Sequence, residues 1–248
     1  MLSIIIPTYN EEDYISKLLQ SLCEQTYKDF EVIVVDASDD NTLGVVKDYV
    51  GKLKITTITA GLRGVAHQNN AGAKRAHGDI LLFLGADIIL KDYFLECALK
   101  EFLQRNLQVA GSYMRPITSE SGVLGEKRVA DKLMWQILFN LVIGVSQYAG
   151  LGSNGACIFC KKSLHDKING FDPTIKLAED FDYTQRASRW GKFRILRRTT
   201  FVSMRRADVE GRLRLLVKLT FATIHKIFLG NIRSDVFKYE FGHYKRGN

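Results

Sequence analysis

The sequence predicts an α/β protein with a doubly wound, mostly parallel central sheet, and three observations carry that expectation. Short apolar runs alternate with stretches of helical periodicity in the order βαβαβαβ up to Leu84. The runs Leu2 to Ile6, Phe30 to Val35 and Ile80 to Leu84 are apolar at almost every position, the pattern of strands covered on both faces. Two of them run out into acids, Asp36 and Asp87, which puts carboxylates at the carboxyl edge of the sheet, where open α/β folds bind ligands.

The chain has 248 residues, 46% of them hydrophobic, which is enough for a sizeable core, and a formal net charge of +8. That charge favours anionic partners such as nucleotides, phosphorylated lipids or nucleic acid. The amino terminus has no charged leader before its short apolar run and reads as a first strand, so the expected location is cytoplasmic, extending to the inner face of the cell membrane. Cys23 and Cys97 fall at apolar helical positions and are expected in the core. Cys157 and Cys160 form a C-x-x-C inside Ala156-Cys157-Ile158-Phe159-Cys160, which reads as a strand. A zinc site wants a second ligand pair and a thioredoxin-like motif wants a helix start, so neither chemistry is expected there.

Leu2 to Ile6 form the first strand, and Pro7-Thr8-Tyr9-Asn10 turns into a helix with Asn10 as its cap and Glu11, Glu12 and Asp13 at the positive dipole end. Ile15, Leu18, Leu19 and Leu22 supply its apolar face. Phe30 to Val35 are the second strand, followed by the polar loop Asp36 to Asn41 and a short helix carrying Val45, Val46, Tyr49 and Val50. Lys54 to Thr59 give the third strand, Gly61 to Gly64 a loop, and Val65 to His77 a helix of small residues able to lie close to the sheet. Five consecutive large apolar residues, Ile80 to Leu84, are too few for a buried helix and make the fourth strand. Gly85 and Ala86 then bring the backbone to the surface before Asp87, either a turn cap or a ligand-binding carboxylate. No G-x-G-x-x-G follows the first strand and no P-loop occurs, so phosphates must be met by a metal or by arginine.

Asp92 opens a helix with Phe94, Leu95, Ala98, Leu99 and Phe102 inside, and Val109 to Met114 form another strand. The mostly apolar run 129–151 is interrupted by Gln136, Asn140, Ser146 and Gln147, which fits a helix in a groove or on a membrane better than a span. Ala178-Glu179-Asp180-Phe181-Asp182 puts three acids at the start of a helix that continues through Tyr183, Ala187 and Trp190. Acids there are ordinary dipole partners as well as candidate catalytic groups. After a strand at Phe193 to Leu196, Arg205 and Arg206 precede a basic amphipathic stretch, 212–233. Such a helix packs on the domain, docks a second copy in a homo-oligomer, or lies on an anionic membrane surface.

In their order, these motifs resemble family 2 glycosyltransferases, enzymes of the GT-A fold. The match is carried by Ile4-Ile5-Ile6-Pro7-Thr8-Tyr9-Asn10-Glu11, by Glu31 to Asp36 with Ser38, Asp39 and Thr42, and by Gly61-Leu62-Arg63-Gly64-Val65-Ala66 with Asn69 and Asn70. It continues through Ala86-Asp87 and Glu179-Asp180. The resemblance implies a Rossmann-like GT-A domain over 1–200, with a nucleotide-sugar half at about 1–115 and an acceptor half at 116–200, and a basic amphipathic helical extension over 201–248.

It further implies an inverting transfer from a nucleotide diphosphate sugar to a sugar or lipid-phosphate acceptor. Pro7, Tyr9, Glu11, Asp36, Asp39, Arg63, Asn70, Ala86 and Asp87 would bind the nucleotide sugar, and Asp87 would ligate Mg2+ or Mn2+ through a hard oxygen. Asp180 would be the general base, with Glu179 supporting it, and Trp190, Arg205 and Arg206 would meet acceptor or phosphate. Two departures qualify the likeness. Gly85 stands where the family usually has a first acid, which weakens the expected metal site, and Gln185 is one residue too far from Arg189-Trp190 for the processive Gln-x-x-Arg-Trp signature. A non-catalytic nucleotide-sugar or membrane module on the same fold is the alternative; nucleic-acid binding has only the charge behind it and is not expected.

Overall fold

The structure is a computed structural model. It describes residues 1–117 and 155–203, together with 137, 140, 141, 144, 147, 205, 210, 211, 214, 217, 218, 221, 225 and 230–233. The strands are β1 (Leu2–Thr8), β2 (Phe30–Asp36), β3 (Ile55–Thr59), β4 (Ile80–Leu84), β5 (Ile88–Ile89), β6 (Val109–Pro116), β7 (Cys157–Lys161) and β8 (Phe193–Val202). The helices are α1 (Ile15–Cys23), α2 (Thr42–Lys47), α3 (Val65–Arg75), α4 (Phe94–Gln104), α5 (Lys162–Lys167) and α6 (Glu179–Ser188).

One sheet joins all eight strands in the order β3-β2-β1-β4-β7-β6-β8-β5. The first four are parallel, with Ile4 opposite both Val32 and Leu82. β7 is antiparallel to β4 and β6, whereas β8 runs parallel to β6. The carboxyl ends of β1, β2, β4, β6 and β8 therefore open on one edge, and β7 begins there.

Strands that are apolar at every position bury both faces, and each face has its own core. Ile4, Ile6, Val32, Val34, Leu82 and Leu84 pack toward α1 and α4. On the other face, Ile5, Ile33, Val35, Leu81 and Phe83 meet α3, α6 and the stacked pair Phe171 and Tyr183. The small residues of α3 are used as expected: a β-carbon at Gly72 would come within 2.5 Å of the Ile5 side chain.

Several local expectations are corrected. Asn10 does not cap α1; it sits at φ 56°, its side-chain oxygen accepts the Asp39 N–H at 2.9 Å, and the helix starts only at Ile15. Glu11 to Asp13 form a turn in which the Glu11 carbonyl takes the N–H groups of Tyr14 and Ile15, so no acid lies in the first helical turn. Cys23 and Cys97 are half-buried rather than core residues. The last strand runs to Val202, hidden in the sequence because Arg197 and Arg198 occupy exposed positions of it.

Cys157 and Cys160 lie on a strand as expected, and burial pushes both thiols up to about 12, which keeps them protonated and inert. Among the described residues, no helix is long and apolar enough to cross a membrane. Most of 129–151 and of 212–233 lies outside the described residues.

Candidate active site at the carboxyl edge of the sheet

Asp36, at the end of β2, is buried and ties the first two loops together. Its Oδ1 accepts hydroxyl protons from Thr8 and Ser38, each at 2.6 Å, and the Asn10 N–H donates to Ser38 Oγ at 2.8 Å. Gln68, buried in α3, donates to the carbonyls of Thr8 at 2.8 Å and Val35 at 2.7 Å, fixing the ends of β1 and β2. Pro7 stands in β1 opposite Val35, directly beneath these loops.

Above this base Tyr9, Asp39 and Arg63 come together from three loops. Arg63 Nη2 meets Asp39 Oδ2 at 2.5 Å, its Nη1 donates to the Tyr9 hydroxyl at 3.0 Å, and the guanidinium lies 4.8 Å from the Tyr9 ring centre. Arg63 and Asp39 are exposed, so their ion pair adds little stability; with the half-buried Tyr9 they place an aromatic ring, a carboxylate and a cation at this edge.

A second cluster forms where β4 ends. Arg205, beyond β8, reaches the β1–α1 loop and donates from Nη2 to Glu11 Oε1 at 2.5 Å, while its Nε lies 3.6 Å from Asp87 Oδ2. The guanidinium also covers the Tyr14 ring at 4.2 Å, and the Ser203 N–H donates to the Asp87 carbonyl at 3.2 Å. Two carboxylates thus share one cation. Burial pushes the Glu11 carboxyl up to about 7 despite the opposing pull of Arg205. Burial likewise raises Asp87, again against Arg205. Glu11 Oε2 is buried with no hydrogen-bond partner.

Asp87 and that orphaned oxygen are hard donors of the type Mg2+ and Mn2+ prefer. Among the described residues no three His, Cys, Asp or Glu side chains are placed to hold an ion, so an ion here would complete its shell with a diphosphate and water. Ala86, buried at 5% exposure, brings the backbone past the site without bulk.

The third group is built on α6. Ala178 precedes it in the left-handed region at φ 62°, ψ 39°, a conformation that costs an alanine about 1 kcal/mol, and Glu179 and Asp180 open the helix from it. A β-carbon on Gly155 would stand 2.5 Å from Asp180 Oδ2, so the carboxylate lies directly against the Gly155 backbone. The neighbouring Ala156 carbonyl accepts the Gly85 N–H at 3.0 Å. Asp180 is thereby tied, through two adjacent backbone segments, to the turn that carries Asp87.

Behind α6, Asp182 pairs with Arg186 at 2.6 Å and accepts from Asn231 at 2.9 Å. Arg186 also donates to the carbonyls of Ile168 at 2.7 Å and Gly170 at 2.8 Å. Asn70 belongs to this support: its amide exchanges two 2.8 Å hydrogen bonds with the Phe171 backbone. Residues 231–233 return to the same place, with Ile232 bridging Leu177 and Arg233 pairing with Asp172 at 3.2 Å.

Trp190 stands past the carboxyl end of α6, at the opposite end from Asp180, exposed and covered by the Lys167 ammonium at 3.7 Å from its ring centre. Arg206 lies outside the described residues. Sequence reasoning passed over Gln68, Tyr14 and Gly155. The first leaves a trace, as a polar residue on the sheet-facing side of a small-residue helix; Tyr14 and Gly155 act through contacts across the fold.

Comparison with known proteins places this edge in context. The sequence model of glycosyl transferase family 2 matches residues 3–167. TarS of Staphylococcus aureus, a poly(ribitol-phosphate) β-N-acetylglucosaminyltransferase, is 39% identical over 104 residues, covering 40% of this chain and 18% of TarS. An uncharacterized glycosyltransferase of Haemophilus influenzae is 30% identical over 191 residues, 74% of this chain and 60% of that protein. The chain thus spans less than two thirds of these relatives.

Among solved structures, TarS residues 1–349 with UDP-GlcNAc superpose with a TM-score of 0.63 at 25% identity, over 82% of this chain and 58% of that one. The Pyrobaculum calidifontis mannosyltransferase PcManGT with GDP-Man and Mn2+ gives 0.68 at 22% identity, over 89% and 60%.

Proposed function

Because the chain belongs to glycosyl transferase family 2 and has its GT-A fold, we propose that this glycosyltransferase inverts the anomeric centre as it moves a sugar from a nucleoside diphosphate to an acceptor at a membrane surface. The observation that carries the reading is the placement of Asp180 against Gly155, beside the turn that bears Asp87, so that a base and a diphosphate site share one edge.

In this reading the nucleoside lies over the first two loops, with Tyr9 beneath it, Asp39 as acceptor for base N–H groups, and Arg63 released toward the diphosphate. Asp87 and Glu11 would hold the divalent ion, which supplies charge neutralisation on the leaving group. Arg63 and Arg205 add fixed cations there. The Asp180 carboxylate takes the proton of an acceptor hydroxyl as that oxygen forms its bond to the anomeric carbon and the bond to the diphosphate oxygen breaks, its electron pair leaving with the diphosphate. Pinning by the Gly155 backbone fixes the direction from which the proton is removed. A lipid-phosphate acceptor is already an anion, and Asp180 then orients it instead.

A screen of UDP- and GDP-sugars with Mn2+ by thermal shift identifies the donor, since a ligand that binds only the folded state raises its stability. With that donor, Asp180→Asn is expected to lower kcat about a hundredfold or more when a hydroxyl attacks. Nearly full rate would remove the general-base role. Donor binding with neither transfer nor hydrolysis would establish the non-catalytic module instead.

A further inference from the structure

Arg205 reaches Glu11, 194 positions away in the chain, and Asp87, and these two acids are the hard oxygen donors of the site. Its charge does not balance theirs. One guanidinium faces two carboxylates that are all largely withdrawn from solvent, and Glu11 Oε2 has no hydrogen-bond partner at all. Among the described residues the cluster sets one cation against two acids and leaves Glu11 Oε2 as an open donor. A divalent ion satisfies both deficits, but the guanidinium already occupies the near faces of Glu11 and Asp87, and two cations on the same pair repel.

We propose that Arg205 and the nucleotide-borne divalent ion compete for Glu11 and Asp87: Arg205 holds the two carboxylates in the empty site and turns to the diphosphate when the ion takes them over. The guanidinium suits both positions because its planar fork of N–H donors matches a carboxylate and a phosphate equally well. The hand-over also has a structural lever. Ser203, two residues before Arg205, is hydrogen-bonded to the Asp87 carbonyl, so Arg205 swings about an anchored point and stays within reach of the site. Stacking on Tyr14 holds the guanidinium in its resting position. No covalent step is involved; one cation replaces another.

This inference rests on the nucleotide-sugar reading, and two binding measurements separate the two. Mn2+ alone, titrated with the free ion followed by electron paramagnetic resonance, is expected to bind Arg205→Ala about tenfold more tightly than the unaltered protein, the size of one charge-assisted hydrogen bond withdrawn from competition. UDP and GDP, titrated calorimetrically at saturating Mn2+, are expected to bind Arg205→Ala about tenfold more weakly for whichever is the cognate nucleotide. The opposite signs cannot both come from loosened structure. Unchanged or weaker Mn2+ binding overturns the competition, and unchanged nucleotide binding overturns the hand-over. Should neither nucleotide bind the unaltered protein, the nucleotide reading and the hand-over both fall, while the Mn2+ titration still decides the competition. If Arg205→Ala does not fold, Arg205→Lys takes its place: its single ammonium cannot span both acids, so Mn2+ binding tightens by about threefold, and an unchanged value overturns the proposal.

Discussion

Gly155 is the wall against which the Asp180 carboxylate rests: a β-carbon there would lie 2.5 Å from Oδ2 and 2.9 Å from Cγ. Its backbone is not in the left-handed region, so alanine is tolerated by the main chain and acts only by pushing the carboxylate aside. Gly155→Ala is therefore expected to lower kcat by about ten- to a hundredfold, the cost of misplacing a reacting group by about 1 Å. Stability should change by no more than about 1 kcal/mol. Steady-state kinetics beside a melting curve checks both; an unchanged kcat would mean that the position of Asp180 is immaterial to the rate.

Two pairs of apolar side chains are exposed on helical backbone, and membrane contact is the prediction tested on them. Ile137 and Leu141 are 61% and 60% exposed, Val217 and Phe221 46% and 59%, and each pair is four residues apart on helical backbone. Arg214 is exposed three residues before Val217, giving the mixture of cation and apolar side chains found on interfacial helices. Flotation with vesicles of phosphatidylcholine, with and without phosphatidylglycerol, is expected to show binding that increases with the anionic lipid. Val217→Glu together with Phe221→Glu is expected to abolish it. Equal flotation of the double variant would assign these side chains to another partner.

The parallel half of the fold was legible because β1, β2 and β4 are buried on both faces and so are apolar without alternation. The place of β7 was not, because an antiparallel insertion between β4 and β6 leaves no periodicity of its own in Cys157 to Lys161. The acids were legible by residue type, but their partners were not. Asp36 accepts from Thr8, and Asn70 exchanges hydrogen bonds with the Phe171 backbone, contacts that span 28 and 101 residues. The link between Arg205 and Glu11 lies beyond local pattern altogether, since it depends on the pairing of β5 with β8 and the Ser203–Asp87 hydrogen bond, which bring the segment after β8 to the site. The missing cap at Asn10 failed for a related reason: a cross-loop bond to Asp39 outcompeted the local helix start.

His165 makes the fold sensitive to acid. It is buried with Nδ1 3.0 Å from the Tyr183 hydroxyl and its ring against Phe83. Burial, with Arg186 and Lys162 nearby and against the pull of Asp166, holds its pKa down to about 4. The unfolded chain accepts a proton near its ordinary value of about 6.5 while the folded chain refuses it. The stability from this group is complete above about pH 6.5 and falls as the pH drops toward 4, by about 2 kcal/mol at pH 5. Urea unfolding at pH 7 and pH 5, compared with His165→Gln, isolates the contribution. Equal losses in the two proteins would show that His165 titrates alike folded and unfolded.

Asp87 is the point at which turn cap and metal ligand give different outcomes. Its carbonyl accepts the Ser203 N–H whatever the side chain is, so Asp87→Asn keeps the turn and the β5 pairing that follows it. What the amide lacks is the negative charge. A neutral oxygen is a poor donor to Mg2+ or Mn2+, and Glu11 is left to hold the ion with the diphosphate and water. Nucleotide binding is expected to lose its stimulation by Mn2+ by about tenfold or more, while binding in EDTA stays the same or tightens, because removing a carboxylate lowers the repulsion felt by the diphosphate. Melting curves should show no loss of stability, since burial already penalises the charged form of this side chain. Full Mn2+ stimulation in Asp87→Asn would assign the ion to other ligands and leave Asp87 as a residue that only closes the turn after β4.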